Sequence, residues 1–150
     1  MEENKQTPAI IVIGSDHAGY SLKQKIKNFL LENGHTYTDV GCVSEASADY
    51  ADYAHSVANE VLRGTAKFGI LLCGSGNGIN MTANKHKGIR SALCWNTEIT
   101  SLARQHNDAN ILTLPARFIS DEEAIKCVDV FLNTPFEGGR HLARIQKIDA

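Results

Sequence analysis

A chain of 150 residues, 43% hydrophobic and 21% charged, has the length and composition of one domain with a real hydrophobic core. Its formal net charge of −2 excludes an electrostatic case for nucleic acid or an anionic membrane as partner, so a small anionic ligand would have to be caught by local cations. Cys42, Cys73, Cys94 and Cys127 form no C-x-x-C pair, which argues against a zinc knuckle, a thioredoxin-like site and a disulfide framework, and the apolar runs fall far short of the ~20 residues of a membrane span.

Taken in order, Met1–Thr7 is polar and predicted to fray, whereas Ala9–Ile13 is β-branched and continuously apolar, like a strand covered on both faces. Gly14-Ser15-Asp16-His17-Ala18-Gly19 follows, and Tyr20–Glu32 then has helical spacing. Leu22, Ile26, Phe29 and Leu30 share one face, with Lys23, Lys25 and Lys27 assigned to the other. Asn33-Gly34 stops the helix, His35–Val40 reads as a second strand, and Gly41–Asp52 as a polar loop. Tyr53–Leu62 is a second helix, with Ala54, Val57, Ala58 and Val61 on its apolar stripe.

Phe68–Cys73 is the third strand, followed by the turn Gly74-Ser75-Gly76-Asn77-Gly78 and a helix from Asn77 to His86. Gly88–Cys94 is a fourth strand, and Asn96 caps a helix reaching about Gln105. Asn110–Leu114 is a fifth strand stopped by Pro115, and Ser120-Asp121-Glu122-Glu123 opens a helix through about Leu132. Residues 134–139 break it, and Arg140–Ala150 form a last helix. Strands alternating with helices predict a five-stranded, mainly parallel sheet with helices on both faces, a three-layer Rossmann-like α/β sandwich in a single domain. Right-handed crossovers place the strand-to-helix loops along one edge, where ligands of such sheets sit.

The stretch around Cys73 is the richest in chemistry. Three glycines alternate in five residues, leaving room for an anionic oxygen to meet backbone amides at a helix start. Neighbouring amides favour thiolate over thiol, so Cys73 is expected to be partly ionised near neutral pH. The turn is neither the dinucleotide fingerprint, because Ile79 stands at its final glycine position, nor the ATPase phosphate loop, because no Gly-Lys-Ser/Thr follows. Asp16 and His17 are either a cap beside a surface histidine or ligands for hydroxyls and phosphate. His106, within Arg104-Gln105-His106-Asn107-Asp108, is either a helix C-cap or a general acid and base. Arg140 and Arg144 are either a solvated face or a phosphate grip, with Arg117 as a third candidate.

Together the motifs resemble the B-type ribose-5-phosphate isomerases, within a group that includes isomerases of galactose 6-phosphate and allose 6-phosphate. The matching landmarks are Gly14–Gly19, Asp49-Tyr50, Cys73–Gly78, Ala83-Asn84-Lys85, Gly88-Ile89-Arg90, Arg104–Asn110 and Glu137-Gly138-Gly139-Arg140-His141, which span nearly the whole chain. The resemblance implies an aldose–ketose isomerase interconverting ribose 5-phosphate and ribulose 5-phosphate, with a six-carbon sugar phosphate or non-catalytic sugar-phosphate binding as alternatives. It implies Cys73 as base, Ser75 assisting proton transfer at the oxygens, the amides of Gly74, Gly76, Asn77 and Gly78 stabilising an enediolate, and His106 opening the ring. Asp16 and Asn107 would hold hydroxyls or the ring oxygen, Tyr50 would line the pocket, and His17, Arg117, Arg140 and Arg144 would bind phosphate.

The resemblance further implies no metal or organic cofactor. It also implies a homodimer, able to pair into a dimer of dimers, with residues 139–150 at the interface and His106 and some phosphate ligands reaching the partner's site. A cytoplasmic location is expected from the cysteine usage and the lack of a visible signal peptide. Two departures stand out. Ile79 occupies the position where a subgroup carries a glutamate base, and Ala51 replaces a common proline after Asp49-Tyr50, a change expected to alter loop stiffness.

Overall fold

The computed structural model describes residues 9–150, so the Met1–Thr7 segment lies outside the described residues. Five strands, β1 (Ile10–Ser15), β2 (Thr36–Asp39), β3 (Phe68–Cys73), β4 (Ser91–Leu93) and β5 (Ile111–Pro115), form one sheet in the order β2-β1-β3-β5-β4. Every pairing is parallel, as in Ile13 opposite Ile70 and Leu71 opposite Thr113. The helices are α1 (Tyr20–Glu32), α2 (Tyr50–Arg63), α3 (Asn77–Ala83), α4 (Thr97–Asn107), α5 (Asp121–Asn133) and α6 (Arg140–Ile145).

Period-two alternation divides the interior into two cores. Ile11, Ile13, Ile70 and Leu72 face one side, where Leu22, Ile26 and Leu30 of α1, Ala103 of α4 and Val128 and Phe131 of α5 cover them. Val12, Leu71 and Cys73 face the other, under Ala54, Val57 and Ala58 of α2 and Ile79 and Ala83 of α3. From β1 the chain goes first to β2 on one side and later to β3 on the other, so a crevice opens at the carboxyl ends of β1 and β3. Among the described residues no helix is long and apolar enough to cross a membrane.

Several local expectations change. Lys23 is fully buried, not solvated, and its Nζ donates to Asp39 Oδ1 at 2.8 Å and to the Cys42 carbonyl at 2.5 Å. Lys27 meets the other oxygen of Asp39 at 2.8 Å. Burial alone would raise Asp39, but the hydrogen bonds from Lys23, Lys27 and the Gly41 amide outweigh it and hold the carboxyl below its ordinary 3.8. This knot fixes residues 39–42 against β1, where the Ser15 amide donates to the Gly41 carbonyl and the Cys42 amide to the Ser15 carbonyl, both at 2.9 Å, just ahead of Asp16.

Helix α2 starts at Tyr50, three residues earlier than its apolar stripe requires, so Ala51 lies in a first helical turn rather than a loop. Proline is tolerated in that turn, where N–H groups have no intrahelical partner, so the alanine is compatible with the same geometry. Strand β4 shrinks to three residues because Asn84 and Asn110 side chains take up the Ser91 and Arg90 backbone groups around it. The last helix ends at Ile145 and the third at Ala83, both shorter than their sequence patterns.

Candidate active site

Cys73 ends β3, and pairing to the β5 side continues past it: the Ala116 amide donates to the Cys73 carbonyl at 2.9 Å and the Arg117 amide to that of Gly74 at 3.0 Å. The chain then turns through Gly76, whose φ of 81° is left-handed, into α3. A Cβ on Gly76 would stand 2.4 Å from Leu93 Cδ1, and one on Gly78 2.5 Å from the Tyr50 ring. A Cβ on Gly74 would lie 3.2 Å from Arg117 Nη1. The missing side chains thus let Leu93, Tyr50 and Arg117 close around the turn, and Ser75 and Asn77 remain exposed on its rim with the Ser75 hydroxyl accepting from the Asn77 amide at 3.2 Å.

The Cys73 thiol is buried within this turn. Burial pushes it above its ordinary 9.0; the amides of Ile79, Gly76 and Ser75 point toward the sulphur and oppose the shift, while Asp16 adds to it. The expectation of partial ionisation near neutral pH is therefore corrected. Desolvation of the thiolate outweighs the amides, and the resting group is a thiol. Ile79 is fully buried in the α3 core, so no ionisable side chain competes with Cys73 from that position.

Asp16 shows the capping half of its two readings. Oδ1 accepts from Ala18 N at 2.9 Å and Gly19 N at 3.3 Å, capping a 3-10 turn over His17–Gly19, while its amide donates to Leu72 at 3.2 Å beside the Cys73 strand end. His17 Nδ1 accepts from the Ala48 amide at 3.1 Å, which in the neutral ring leaves the proton on Nε2, free to donate. Asp16, His17, Tyr50, Cys73, Gly74, Ser75, Gly76, Asn77, Gly78 and Arg117 therefore gather at the carboxyl edge.

His106, Asn107, Arg140 and Arg144 do not. Helix α4 starts after the carboxyl end of β4 and runs back, so His106 and Asn107 lie at the amino edge, roughly 16 Å of helix away. Arg104 holds this end in place: buried between Phe68 and Phe131, it donates to the Ala109 carbonyl at 2.7 Å and to Asp108 at 2.8 Å. The Glu137 amide donates to the Gln105 carbonyl at 3.0 Å and docks the start of α6 here. His141 is buried with its ring stacked on His106, centroids 4.4 Å apart and planes 16° from parallel. Glu137 Oε1 stands 3.7 Å from His106 Nε2 and 3.6 Å from His141 Nε2.

The His106, Glu137 and His141 donor atoms are close enough to suggest a metal site, but in-plane lone pairs of nearly parallel stacked rings do not converge on one ion. Arg140 and Arg144 beside them also favour an anion. Glu137 and His141 were not among the site residues read from the sequence; their i, i+4 spacing, interleaved with the Arg140–Arg144 pair, was the available signal.

The ribose/galactose isomerase family matches residues 11–148 of the chain. Ribose-5-phosphate isomerase B of Escherichia coli is 42% identical over 140 residues, covering 93% of this chain and 94% of that protein. A crystal structure of a ribose 5-phosphate isomerase from Thermotoga maritima is 53% identical, with a TM-score of 0.93 over 94% of this chain and 97% of that one. Ribose-5-phosphate isomerase B from Mycoplasma genitalium with bound ribulose 5-phosphate is 45% identical, with a TM-score of 0.89 over 93% of each chain. By sequence and by fold, the chain belongs to the ribose/galactose isomerase family.

Proposed function

We propose that the protein is an aldose–ketose isomerase that interconverts D-ribose 5-phosphate and D-ribulose 5-phosphate, in the cytoplasm, as a homodimer with shared active sites. The observation that carries the reading is the Cys73 thiol set into an amide-lined glycine turn with Asp16, Tyr50 and Arg117 around it. Four unpaired, buried cysteines support a reducing location.

The reaction begins with ring opening, in which the anomeric hydroxyl loses a proton and the ring oxygen gains one; His106 carries this transfer, with Asn107 beside it. The open aldose then gives its C2 proton to the Cys73 thiolate, and the electron pair left behind forms an enediolate with charge on the oxygens. The turn amides stabilise that charge, and Ser75 relays the proton between O2 and O1. Return of the proton from Cys73 to C1 completes the ketose. No electrons leave the substrate. His17, Arg117, Arg140 and Arg144 hold the phosphate, whose binding energy positions the reacting carbons. Burial makes the Cys73 thiolate scarce but strongly basic, which suits abstraction of a weakly acidic C–H.

The two half-sites support the dimer. One edge of the sheet has Cys73 and its oxyanion donors but not His106, and the other has His106 and two arginines but not Cys73. Two chains packed edge to edge complete two sites. Purified protein assayed on ribose 5-phosphate, allose 6-phosphate and galactose 6-phosphate tests the substrate: the five-carbon sugar is expected to give the highest kcat/KM, and a tenfold preference for either hexose phosphate overturns the assignment.

A further inference from the structure

His106 lacks what usually fixes a catalytic imidazole. Its side chain is 38% exposed, and its nearest acidic oxygen, Glu137 Oε1, is at 3.7 Å, beyond hydrogen-bond length. The contact that does define its plane is the His141 ring, stacked beneath it at 4.4 Å. His141 has the anchorage His106 lacks: it is 6% exposed, its amide donates to the Gly138 carbonyl at 3.1 Å, and the segment leading to it is tied to α4 through Glu137 and Gln105. We infer that His141 is a positioning residue, a flat platform that holds the His106 imidazole in the orientation needed for proton transfer during ring opening. The inference rests on the isomerase reading above.

The charges around the platform agree. Facing His141 are His106 from α4, Glu137 from the preceding loop, and Arg140 and Arg144 from α6. Burial, His106, Arg140 and Arg144 hold His141 below the ordinary imidazole range, with Glu137 opposing them. The lower ring is thereby biased toward its neutral form and stacks on His106 as an uncharged plane.

The test compares ribose 5-phosphate with 4-deoxyribose 5-phosphate, which lacks the oxygen that closes the furanose ring and so needs no opening. His141→Ala is expected to lower the ratio of kcat/KM on the cyclic substrate to kcat/KM on the open one at least tenfold. His141→Phe, which restores a flat ring without a titratable nitrogen, is expected to bring the ratio back to within about threefold of wild type. If the alanine variant does not fold, His141→Asn, polar but without a stacking ring, takes its place. An unchanged ratio, whether both rates fall together or neither does, overturns the platform, and so does failure of the phenylalanine variant to recover. Wild-type inactivity on both substrates would instead overturn the isomerase reading itself.

Discussion

The Tyr50 ring rests against the Cα of Gly78, so close that a Cβ there would stand 2.5 Å from two ring carbons. First helical turn and glycine turn thereby fix each other's position at the mouth of the candidate site. Gly78→Ala is expected to displace the ring outward, which is open to it because Tyr50 is half exposed. Overpacking should cost about 1 kcal/mol of stability at such a yielding site, and KM should rise on the order of tenfold. In Tyr50→Ala the same glycine substitution should cost much less, and a double-mutant cycle on KM and melting temperature measures the coupling.

For Cys73 the sign of the pH effect follows from burial. Because the thiol lies above 9.0 in the free protein, kcat/KM for isomerisation should still be rising between pH 7 and 9 as the thiolate population grows. Alkylation of Cys73 by iodoacetamide, followed by mass spectrometry, should accelerate over the same interval. A plateau of both below pH 7 would show a thiolate at rest.

The buried Lys23 makes Asp39 a strong point of the fold. Asp39→Asn leaves that ammonium without its counter-charge and should cost about 3 to 5 kcal/mol in urea unfolding, whereas Lys23→Met should cost less because it removes the buried charge as well. Asp39 is depressed in the folded chain, so its contribution is present above pH 3.8 and is lost as pH falls through the lower folded value. Wild type should therefore lose stability below pH 4 with a slope that Asp39→Asn lacks.

Cys94 acts at the other end of the pH scale. Burial raises it to about 11, only partly offset by Thr100, so the unfolded chain ionises first as pH rises. Stability is full below the unfolded value of 9.0 and falls until the folded thiol ionises near 11, a loss of about 2 to 3 kcal/mol for that shift. Cys94→Ala should flatten denaturant midpoints measured between pH 9 and 11, and an unaltered slope would contradict the assignment.

The fold was legible because apolar runs such as Ile11–Ile13 and Ile70–Leu72 have no reading other than buried strands, and because Asn96 and Ser120 cap their helices as their positions predict. Lys23 was misplaced because helical periodicity counts charge as exposure, and only the end of β2 brings the Asp39 that makes its burial tolerable. The residues around Cys73 were placed together correctly, since strand-end loops share an edge. His106, Asn107, Arg140 and Arg144 lie at the other edge within one chain: their motif reads as chemistry, but direction along α4 sets the edge, and that appears only once the crossover is drawn. The raised Cys73 value was hidden for a similar reason. Sequence shows the amides of a turn but not how completely water is excluded from it.

Subunit mixing tests the shared site most directly. Cys73→Ala and His106→Ala chains, each inactive alone, are mixed under conditions where exchange is confirmed with differently tagged subunits. Random pairing makes half of the dimers mixed, each with one intact and one doubly defective site, so activity should recover to about a quarter of the wild-type value. No recovery after confirmed exchange would mean that His106 serves no partner's Cys73, and the account of two edges forming one site would fall.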